Sequence, residues 1–472
     1  MDKESNRYVI LVSMVAAIGG LLFGYDTAVI SGGIVFLRTH FGLDAAEMAW
    51  AASCALAGCI LGAAIAGVIS DAMGRRKALL LAALLFTVSG FGTALPRTLT
   101  EFVIARMLGG VGIGMASLLS PLYIAEISPA AMRGRLVSYN QFAIVTGMLV
   151  VYFVNYFIAN LGSEQWNVEA GWRWMFGSET VPAILFLILL LFVPESPRWL
   201  VKQGRRDEAL EVFRRAGGDA HARDEIVVIE EALREESGSL AQLVHPGMRR
   251  VLTIGVVLAI LQQVTGINVF LYYGPEIFRQ LGTGTHAALL QTAVIGVTNL
   301  CATVVAIRTV DRLGRKPLMI YGITGMGICL AMTSIAALYQ NAALWVLVFI
   351  IGYAGSFALS VGPVTWVILS EIFPTRIRGR AMAIATLMLW AANYLVSQTF
   401  PILNENAWLN ERFNHAFPFW LYAFMCIVQI VFVRRFVPET KGKSLEEIER
   451  LWAVSRPETK QEGRSRPLKI DN

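Results

Sequence analysis

The chain has 472 residues, of which 56% are hydrophobic and only 16% are charged. A water-soluble domain carries about 25% charged residues, so this composition excludes a soluble globular protein. The formal net charge of +6 at pH 7 is the balance of 40 lysines and arginines against 34 acidic residues, and its meaning depends on where the basic residues lie.

Twelve apolar segments are each long enough to cross a hydrocarbon layer about 30 Å thick, and they predict an all-α membrane protein. The first six predicted spans cover 8–30, 46–69, 78–96, 101–124, 136–160 and 172–193. The polar stretch that follows predicts two or three amphipathic helices, such as Glu225 to Glu236. The last six predicted spans cover 249–273, 287–307, 317–338, 342–369, 381–403 and 417–437.

The positions of the lysines and arginines predict the orientation of these spans. If the N-terminus is cytoplasmic, 34 of the 40 fall in cytoplasmic segments and five fall in outer loops. Cytoplasmic loops of membrane proteins carry such an excess, so we expect both termini in the cytoplasm. The positive charge is therefore spread along one membrane face, and we expect no nucleic-acid partner.

Three signatures in the predicted cytoplasmic loops occur twice, in the same order. The pairs are 71–77 with 311–316, Glu126 and 133–135 with Glu371 and 378–380, and 193–196 with 437–440. The repetition predicts two tandem six-helix halves that meet at the membrane midplane, where alternating-access transporters bind substrate. We expect an N-terminal bundle at 1–196, a cytoplasmic helical linker at 197–248, a C-terminal bundle at 249–440 and a cytoplasmic helix and tail at 441–472.

The repeated basic and acidic clusters have two interpretations. They cap helix ends, or they form salt bridges that join the halves in one conformation and break in another. The sequence contains no recognisable nucleophile–base arrangement, metal cluster or phosphate loop, and close helix packing explains the glycines at 109–114 better. A transporter or channel is therefore favoured over a membrane enzyme, and we expect no metal.

Three ionisable residues within the predicted spans are candidate functional residues: Asp26, Arg106 and Glu179. Each charge at the membrane centre costs at least about 2.5–3.5 kcal/mol. Because span 1 runs outward and spans 4 and 6 run inward, all three are predicted at a similar depth. An arginine beside Asp26 favours the carboxylate, whereas burial favours the protonated acid, so a changing contact would load and release a proton. A static salt bridge is the alternative.

Uncharged polar residues within the spans indicate a site for a neutral molecule with many hydroxyl groups, because amides supply both hydrogen-bond donors and acceptors. These residues are Gln141, Gln262, Gln263, Asn268, Asn299 and Asn393. Gly266 and Gly274–Pro275 are expected to loosen span 7 and to turn its amides and Tyr272 toward a cavity. Hydrogen bonding between helices is the alternative for one or two of the amides.

Two tryptophans, Trp366 and Trp390, lie within spans of the second half. An indole face can stack on the C–H groups of a sugar, although such a tryptophan is often only a packing residue. Gly362–Pro363 precedes Trp366 and favours a broken helix, and thus a cavity, at this point.

Several motifs make the sequence resemble the sugar-porter family of the major facilitator superfamily over nearly the whole chain. The motifs lie at Gly19–Asp26, Pro194–Trp199, Gln262–Asn268, Gly362–Trp366, Ser370–Pro374 and Pro438–Lys443. Within the family, Leu136–Phe142 is most similar to the bacterial proton-coupled xylose carriers. The resemblance implies the major facilitator fold of twelve helices, with the linker and a helix near Ser444 to Trp452 forming a cytoplasmic helical domain.

The resemblance also implies residue roles. Asp26 is expected to be the proton site, with Arg106 as its partner and Glu179 assisting. The implied sugar contacts are Gln141, Gln262, Gln263, Asn268, Asn299, Trp366 and Trp390. Passive carriers of the family typically lack the acid at the position of Asp26, so its presence favours symport. The xylose carriers have glutamines where this chain has Met148 and Leu389, which leaves pentose against hexose open.

We therefore expect a proton-coupled symporter that imports a neutral monosaccharide across a bacterial inner membrane. The proton is the coupling ion and no other cofactor is expected, and we expect a monomer in the lipid bilayer that is not an enzyme. A facilitative uniporter with the same pocket is one alternative. A membrane sugar sensor is another, although the short tail after Trp452 does not favour a signalling extension.

Overall fold

The computed structural model describes residues 3–235, 246–280, 282–338, 343–373 and 378–441. Within these residues it contains twelve helices that are long and apolar enough to cross a membrane. This confirms the predicted all-α membrane fold. We number these membrane helices 1 to 12 in chain order, and we call helices 1–6 the first half and helices 7–12 the second half.

The first half begins with a helix that is longer than predicted. Helices 1 to 5 span Lys3–Phe41, Ala45–Met73, Arg75–Ala94, Leu99–Ile127 and Ala130–Ala159. Helix 6 is segmented, with Glu164–Trp166, a π-helical turn at Asn167–Gly171, Trp172–Gly177 and Thr180–Leu190. The predicted end of span 1 at residue 30 is wrong, because helix 1 continues to Phe41. Near its end, Arg38 contacts acidic side chains of the second half.

The second half contains two broken helices. Helix 7 is formed by Pro246–Val264 and Ile267–Gln280, and helix 10 by Ala343–Leu359 and Val361–Ile372. Helices 8, 9, 11 and 12 span Thr285–Leu313, Arg315–Leu338, Arg378–Asn404 and Phe417–Phe436. The described residues contain four further helices outside these twelve: Pro197–Lys202, two that meet at a kink at Gly218 within Arg206–Glu235, and Ala407–Phe413. The C-terminal helix expected at 444–452 falls outside the described residues.

The break in helix 7 follows from one glycine. Gly266 has φ +88°, a left-handed conformation that a side chain disfavours, and it interrupts the helical hydrogen bonds between Val264 and Ile267. The ring of Tyr422 packs where a Cβ on Gly266 would lie, so the position has no space for a larger residue. The predicted loosening of span 7 is therefore a true break.

Helices 2 and 4 touch backbone to backbone through glycines. A Cβ on Gly58 or Gly62 of helix 2, or on Gly110 or Gly114 of helix 4, would collide with the backbone of the other helix. Helices 1 and 5 approach each other in the same way at Gly24 and Gly147. Small residues allow such close packing between membrane helices, so the first half is a tightly joined unit.

The predicted repeat is visible as two equivalent side-chain clusters at the same end of the bundle. In the first half Arg75 donates to Glu126 at 3.0 Å, and Ser196 also donates to Glu126. In the second half Arg315 donates to Glu371 at 2.9 Å, and Thr440 also donates to Glu371. We call this end, where helices 2, 4, 6, 8, 10 and 12 finish, the linker side, and we call the opposite end the far side.

Each cluster includes a second glutamate, which caps the start of the helix that begins with the arginine of the cluster. Glu195 accepts a hydrogen bond from the backbone of Arg76 at 3.0 Å, at the start of helix 3. Glu439 accepts from the backbones of Arg315 and Lys316 at 3.1 and 3.0 Å, at the start of helix 9. Burial opposes the ionisation of Glu439, but the backbone donors around it lower the pKa of Glu439 below its ordinary value. In this structure the ion pairs Arg75–Glu126 and Arg315–Glu371 each lie within one half.

Candidate functional site

Asp26 and Arg106 form an ion pair in the interior of the first half. Both side chains are fully buried, and Arg106 donates one hydrogen bond to the carboxylate and a second, of 3.1 Å, to the backbone oxygen of Asp26. The Phe176 ring lies 5.6 Å from the guanidinium carbon, which adds a cation–π contact. Breaking one partner of a buried ion pair leaves an uncompensated charge, so the protonation of Asp26 and its contact with Arg106 are coupled.

Glu179 lies near the same pair, between two segments of helix 6. The residue is fully buried, and neither carboxylate oxygen has a hydrogen-bond partner among the described residues. Arg106 is close enough to interact electrostatically with Glu179. Arg106 therefore interacts with both acids, and the structure brings the three ionisable candidates into one buried group.

Gln262 lies where the first segment of helix 7 meets the break in helix 10. Its amide nitrogen donates to the carbonyl oxygens of Val361 and Gly362 at 3.3 and 3.2 Å, in the first turn of the second segment of helix 10. The amide oxygen of Gln262 is buried and has no hydrogen-bond partner among the described residues. The sequence singled out both features, and the structure adds that they touch.

The remaining polar candidates of helix 7 form two hydrogen-bonded groups. Asn268 donates to the amide oxygen of Gln263 at 2.6 Å, across the break. Asn393 on helix 11 donates to the hydroxyl of Tyr272 at 3.3 Å, and Ser397 donates to Asn393 at 3.2 Å. The Asn393–Tyr272 bond joins two helices, which is the alternative considered for some amides. Together these hydrogen bonds fix the orientation of side chains around the break in helix 7.

The two tryptophans have different environments. Trp390 is buried on helix 11, its ring lies 5.3 Å from that of Phe23 on helix 1, and its indole nitrogen has no partner among the described residues. Trp366 is half-buried on the second segment of helix 10, one turn beyond the break. Trp390 therefore lies at the contact between the halves, against Phe23, which precedes Asp26 on helix 1 by about one helical turn.

Gln141 and Asn299 lie on helices 5 and 8, which pack against each other across the two halves. Both side chains are half-buried. Met148, two turns beyond Gln141 on helix 5, and Leu389, next to Trp390, are buried apolar residues. The amide candidates thus come from helices 5, 7, 8 and 11, and apolar side chains occupy two positions on the helices that carry Gln141 and Trp390.

Side-chain contacts join the two halves at the far side, and the sequence does not predict them. Arg38, predicted only as an outer-loop residue, donates two hydrogen bonds to Glu405, of 2.6 and 2.8 Å, and lies 3.5 Å from Glu276. Closer to the middle of the bundle, Ser53 on helix 2 donates to Gln398 on helix 11. These pairs are hundreds of residues apart in the chain, so no local pattern identifies them. Together they close the far side.

The comparisons with known proteins agree with this arrangement. A family model described as sugar (and other) transporter matches residues 12–452. The chain belongs to this family. It is accordingly a multi-pass membrane protein of a transporter family, as its composition and fold indicate.

Family members of named function align over nearly their full length. The D-xylose-proton symporter of Escherichia coli strain K12 is 46% identical, with 97% of this chain and 98% of the relative aligned. The arabinose-proton symporter of Bacillus subtilis strain 168 is 43% identical, with 95% and 96% aligned. A solved structure of the proton:xylose symporter XylE, bound to 6-bromo-6-deoxy-D-glucose, is 46% identical and superposes with a TM-score of 0.82 over 95% of this chain and all of that chain. These similarities confirm the family and the major facilitator fold that the motifs predicted.

Proposed function

We propose that the chain is a proton-coupled symporter that imports a neutral monosaccharide by alternating access. The observation that carries the proposal is the buried Asp26–Arg106 ion pair, beside which the Glu179 carboxylate has no hydrogen-bond partner within the described part of the chain. A passive carrier of neutral sugars has no use for three ionisable groups at membrane depth, which are expensive to bury. The similarity to two pentose-proton symporters supports the same assignment.

The sugar binds between the halves, at the broken segments of helices 7 and 10. The amide oxygen of Gln262 there has no hydrogen-bond partner among the described residues. Beside it, Asn268 donates a hydrogen bond to Gln263, which fixes the orientation of both amides. Gln141, Asn299, Tyr272, Trp366 and Trp390 complete the proposed contacts. Amides and a phenol recognise hydroxyl groups without requiring a charge, and the indoles present faces on which sugar C–H groups can stack.

The proton binds at Asp26 and is coupled to the sugar through helix 1. Protonation neutralises the carboxylate and weakens its attraction to Arg106, which is then left to interact with Glu179. Helix 1 carries both Asp26 and Phe23, and Phe23 packs against Trp390 at the proposed sugar site. A change at the ion pair therefore reaches the second half through a single helix, and the proposed cycle requires both ligands before the halves rock.

The far side is proposed to face outward and the linker side to face the cytoplasm, with both termini cytoplasmic in a bacterial inner membrane. The excess of lysine and arginine near the linker side supports this orientation. The contacts of Arg38 and Ser53 with the second half then correspond to a conformation closed toward the outside. The two bundles proposed at 1–196 and 249–440 are the bodies that rock against each other.

The preferred sugar follows from the apolar positions in the pocket. Met148 and Leu389 offer no hydrogen bonds where the xylose carriers of the family have glutamines, so the proposed pocket has apolar surface on two sides. A hexose carries an additional CH₂ group that such surface can accept, and the relative with a solved structure binds a halogenated glucose. We therefore include both D-xylose and D-glucose as candidate substrates. Competition by a panel of sugars against one labelled sugar in proteoliposomes ranks them.

The deciding experiment measures proton movement driven by sugar. Purified protein in proteoliposomes is expected to alkalinise the external medium when the sugar is added, because each import event takes up a proton. Asp26→Asn is expected to abolish this alkalinisation and the accumulation of sugar against its gradient, while sugar exchange at equal concentrations continues.

The matched control is Asp224→Asn, which removes an exposed aspartate of the helix that follows helix 6. This variant is expected to alkalinise the medium like the wild type. Sugar transport by the wild type without any proton movement would identify a uniporter and refute the proposal. Accumulation by Asp26→Asn would refute the assignment of Asp26.

A further inference from the structure

Ser89 is a buried hydroxyl that the proposed mechanism does not use. It lies near the far end of helix 3, its side chain is fully buried, and its oxygen has no hydrogen-bond partner among the described residues. Buried polar atoms nearly always have a partner, so an unpaired hydroxyl in a packed helix bundle requires an explanation.

The neighbour of Ser89 is the half of the Asp26 carboxylate that Arg106 leaves free. Arg106 binds Oδ1, while Oδ2 is buried and has no partner among the described residues. A Cβ placed on Gly109 of helix 4 would lie 2.7 Å from Oδ2 of Asp26, and the Ser89 hydroxyl lies closer still to the same point. Because Gly109 has no side chain, the two oxygens approach the same point on helix 4, where a Cβ would collide with both, and a side-chain rotation can bring them together.

We propose that Ser89 is a positioning residue for proton loading, which receives the protonated carboxyl group of Asp26 when that group leaves Arg106. The inference rests on the proposed function and adds a residue to it. Protonated Asp26 carries an O–H donor that the guanidinium cannot accept, because arginine has only donors. The Ser89 oxygen is an acceptor at the right place, and its own O–H can donate to a backbone carbonyl one turn earlier in helix 3.

The surroundings leave this role to Ser89. Arg106 interacts electrostatically with Glu179 and Tyr272, Tyr25 interacts with Glu179, and Cys59 and Tyr152 interact with Tyr272. These groups lie on helices 1, 2, 4, 5, 6 and 7. Tyr25 is bonded to Ser178 at 2.7 Å, and Tyr152 to the backbone of Leu271 at 3.0 Å. Helix 3 faces Oδ2 with the hydroxyl of Ser89, which carries no charge that would compete with Arg106.

The test is the pH dependence of sugar accumulation by Ser89→Ala in proteoliposomes. In the proposed role the Ser89 oxygen accepts from the protonated carboxyl group while its own O–H donates to the helix backbone. Ser89→Ala removes this bond to the protonated form, so the alkaline limb of its profile is expected to move to lower pH. A neutral hydrogen bond of ordinary strength corresponds to a shift of roughly half to one pH unit. At sufficiently acidic external pH the variant is expected to reach the wild-type rate.

Two further variants separate the hydrogen bond from packing. Ser89→Cys keeps the volume but replaces the oxygen by sulfur, a weak acceptor, so it is expected to shift the profile as Ser89→Ala does. Thr93→Val removes an equally buried hydroxyl one turn along helix 3, which donates to the backbone of Ser89 at 2.8 Å, and it is expected to leave the midpoint unchanged.

A wild-type midpoint in both Ser89 variants, or a shift to higher pH, overturns the inference while proton coupling stands. A uniform loss of rate at every pH also overturns it, because packing alone would produce that result. Wild-type protein that transports sugar without proton movement instead refutes the proposed function, and the inference with it.

Discussion

Gln262 and Gln429 are both buried glutamines of the second half, but their amide groups differ in their surroundings. Gln262 bonds the carbonyls at the break in helix 10 and leaves its oxygen available beside the interface of the halves. Gln429, on helix 12, has no partner for either amide atom among the described residues. A buried polar group on its own therefore does not define a site, and its position at a helix break is what makes Gln262 a candidate.

This contrast gives a prediction at the residue scale. Gln262→Ala is expected to raise the Kd for the sugar about tenfold. The substitution removes a hydrogen bond to the ligand and also the hydrogen bonds from Gln262 to the backbone of helix 10. Gln429→Leu removes an equally buried amide away from the break and is expected to leave the Kd unchanged. Tryptophan fluorescence titration of both variants measures the effect. Equal affinities would remove Gln262 from the site.

At the scale of the element, the starts of helices 3 and 9 depend on glutamates that lie far along the chain. Glu439 accepts backbone hydrogen bonds at the start of helix 9, and these donors lower its pKa. A group with a lowered pKa in the folded state adds stability above its ordinary pKa, and the stability is lost as the pH falls through the lowered value. The contribution of Glu439 is therefore complete at neutral pH and absent in strong acid.

Glu439→Gln is expected to lower the thermal midpoint by about 1–3 °C at pH 7, because it removes a negative charge from the positive end of a helix. The difference from the wild type is expected to shrink as the pH falls below 4 and to vanish in more acidic detergent solution. Thermal unfolding of both proteins between pH 3 and pH 7 measures this. A difference that stays constant over that range would contradict the electrostatic explanation.

The elements also show which parts of the fold a sequence can reveal. The twelve spans, the repeat and the break in helix 7 follow from local composition, because hydropathy and glycine act over a few residues. The full extent of helix 1 to Phe41 does not, since the end of the helix is polar at 38–40 and Arg38 there pairs with Glu276 and Glu405 of the other half. Ser89 was missed for the same reason, because only the packing of helices 3 and 4 places it beside Asp26.

At the scale of the whole molecule, Arg38 is the residue that joins the ends of three helices. It links the end of helix 1 to Glu276 of helix 7 and to Glu405 after helix 11, at the side where Ser53 and Gln398 also meet. A partly exposed ion pair of this kind contributes about 1 kcal/mol at most. That amount is enough to change the ratio of two conformations about fivefold.

Arg38→Ala is expected to shift the protein toward conformations open at the far side by about fivefold, because the Arg38 contacts are absent when the halves separate there. Spin labels on cysteines introduced at the exposed positions Glu164 and Glu411, one in each half, report the opening as a longer distance. The control Arg97→Ala removes an exposed arginine from the same end of the first half and is expected to leave the distances unchanged. An unchanged distribution in Arg38→Ala would show that the ion pair does not stabilise the closed far side.

The glycine contacts between helices 2 and 4 have a mechanical consequence. Two backbones in direct contact cannot slide without collision, so the first half transmits rotation as a stiff lever. Helix 2 has 29 residues, and at about 1.5 Å per residue a tilt of roughly 10° about its midpoint displaces each tip by roughly 4 Å. The contacts of Arg38 with the second half are therefore separated by a small tilt of the helices rather than by local unfolding. The free energy of binding one proton at Asp26 needs to drive only that tilt.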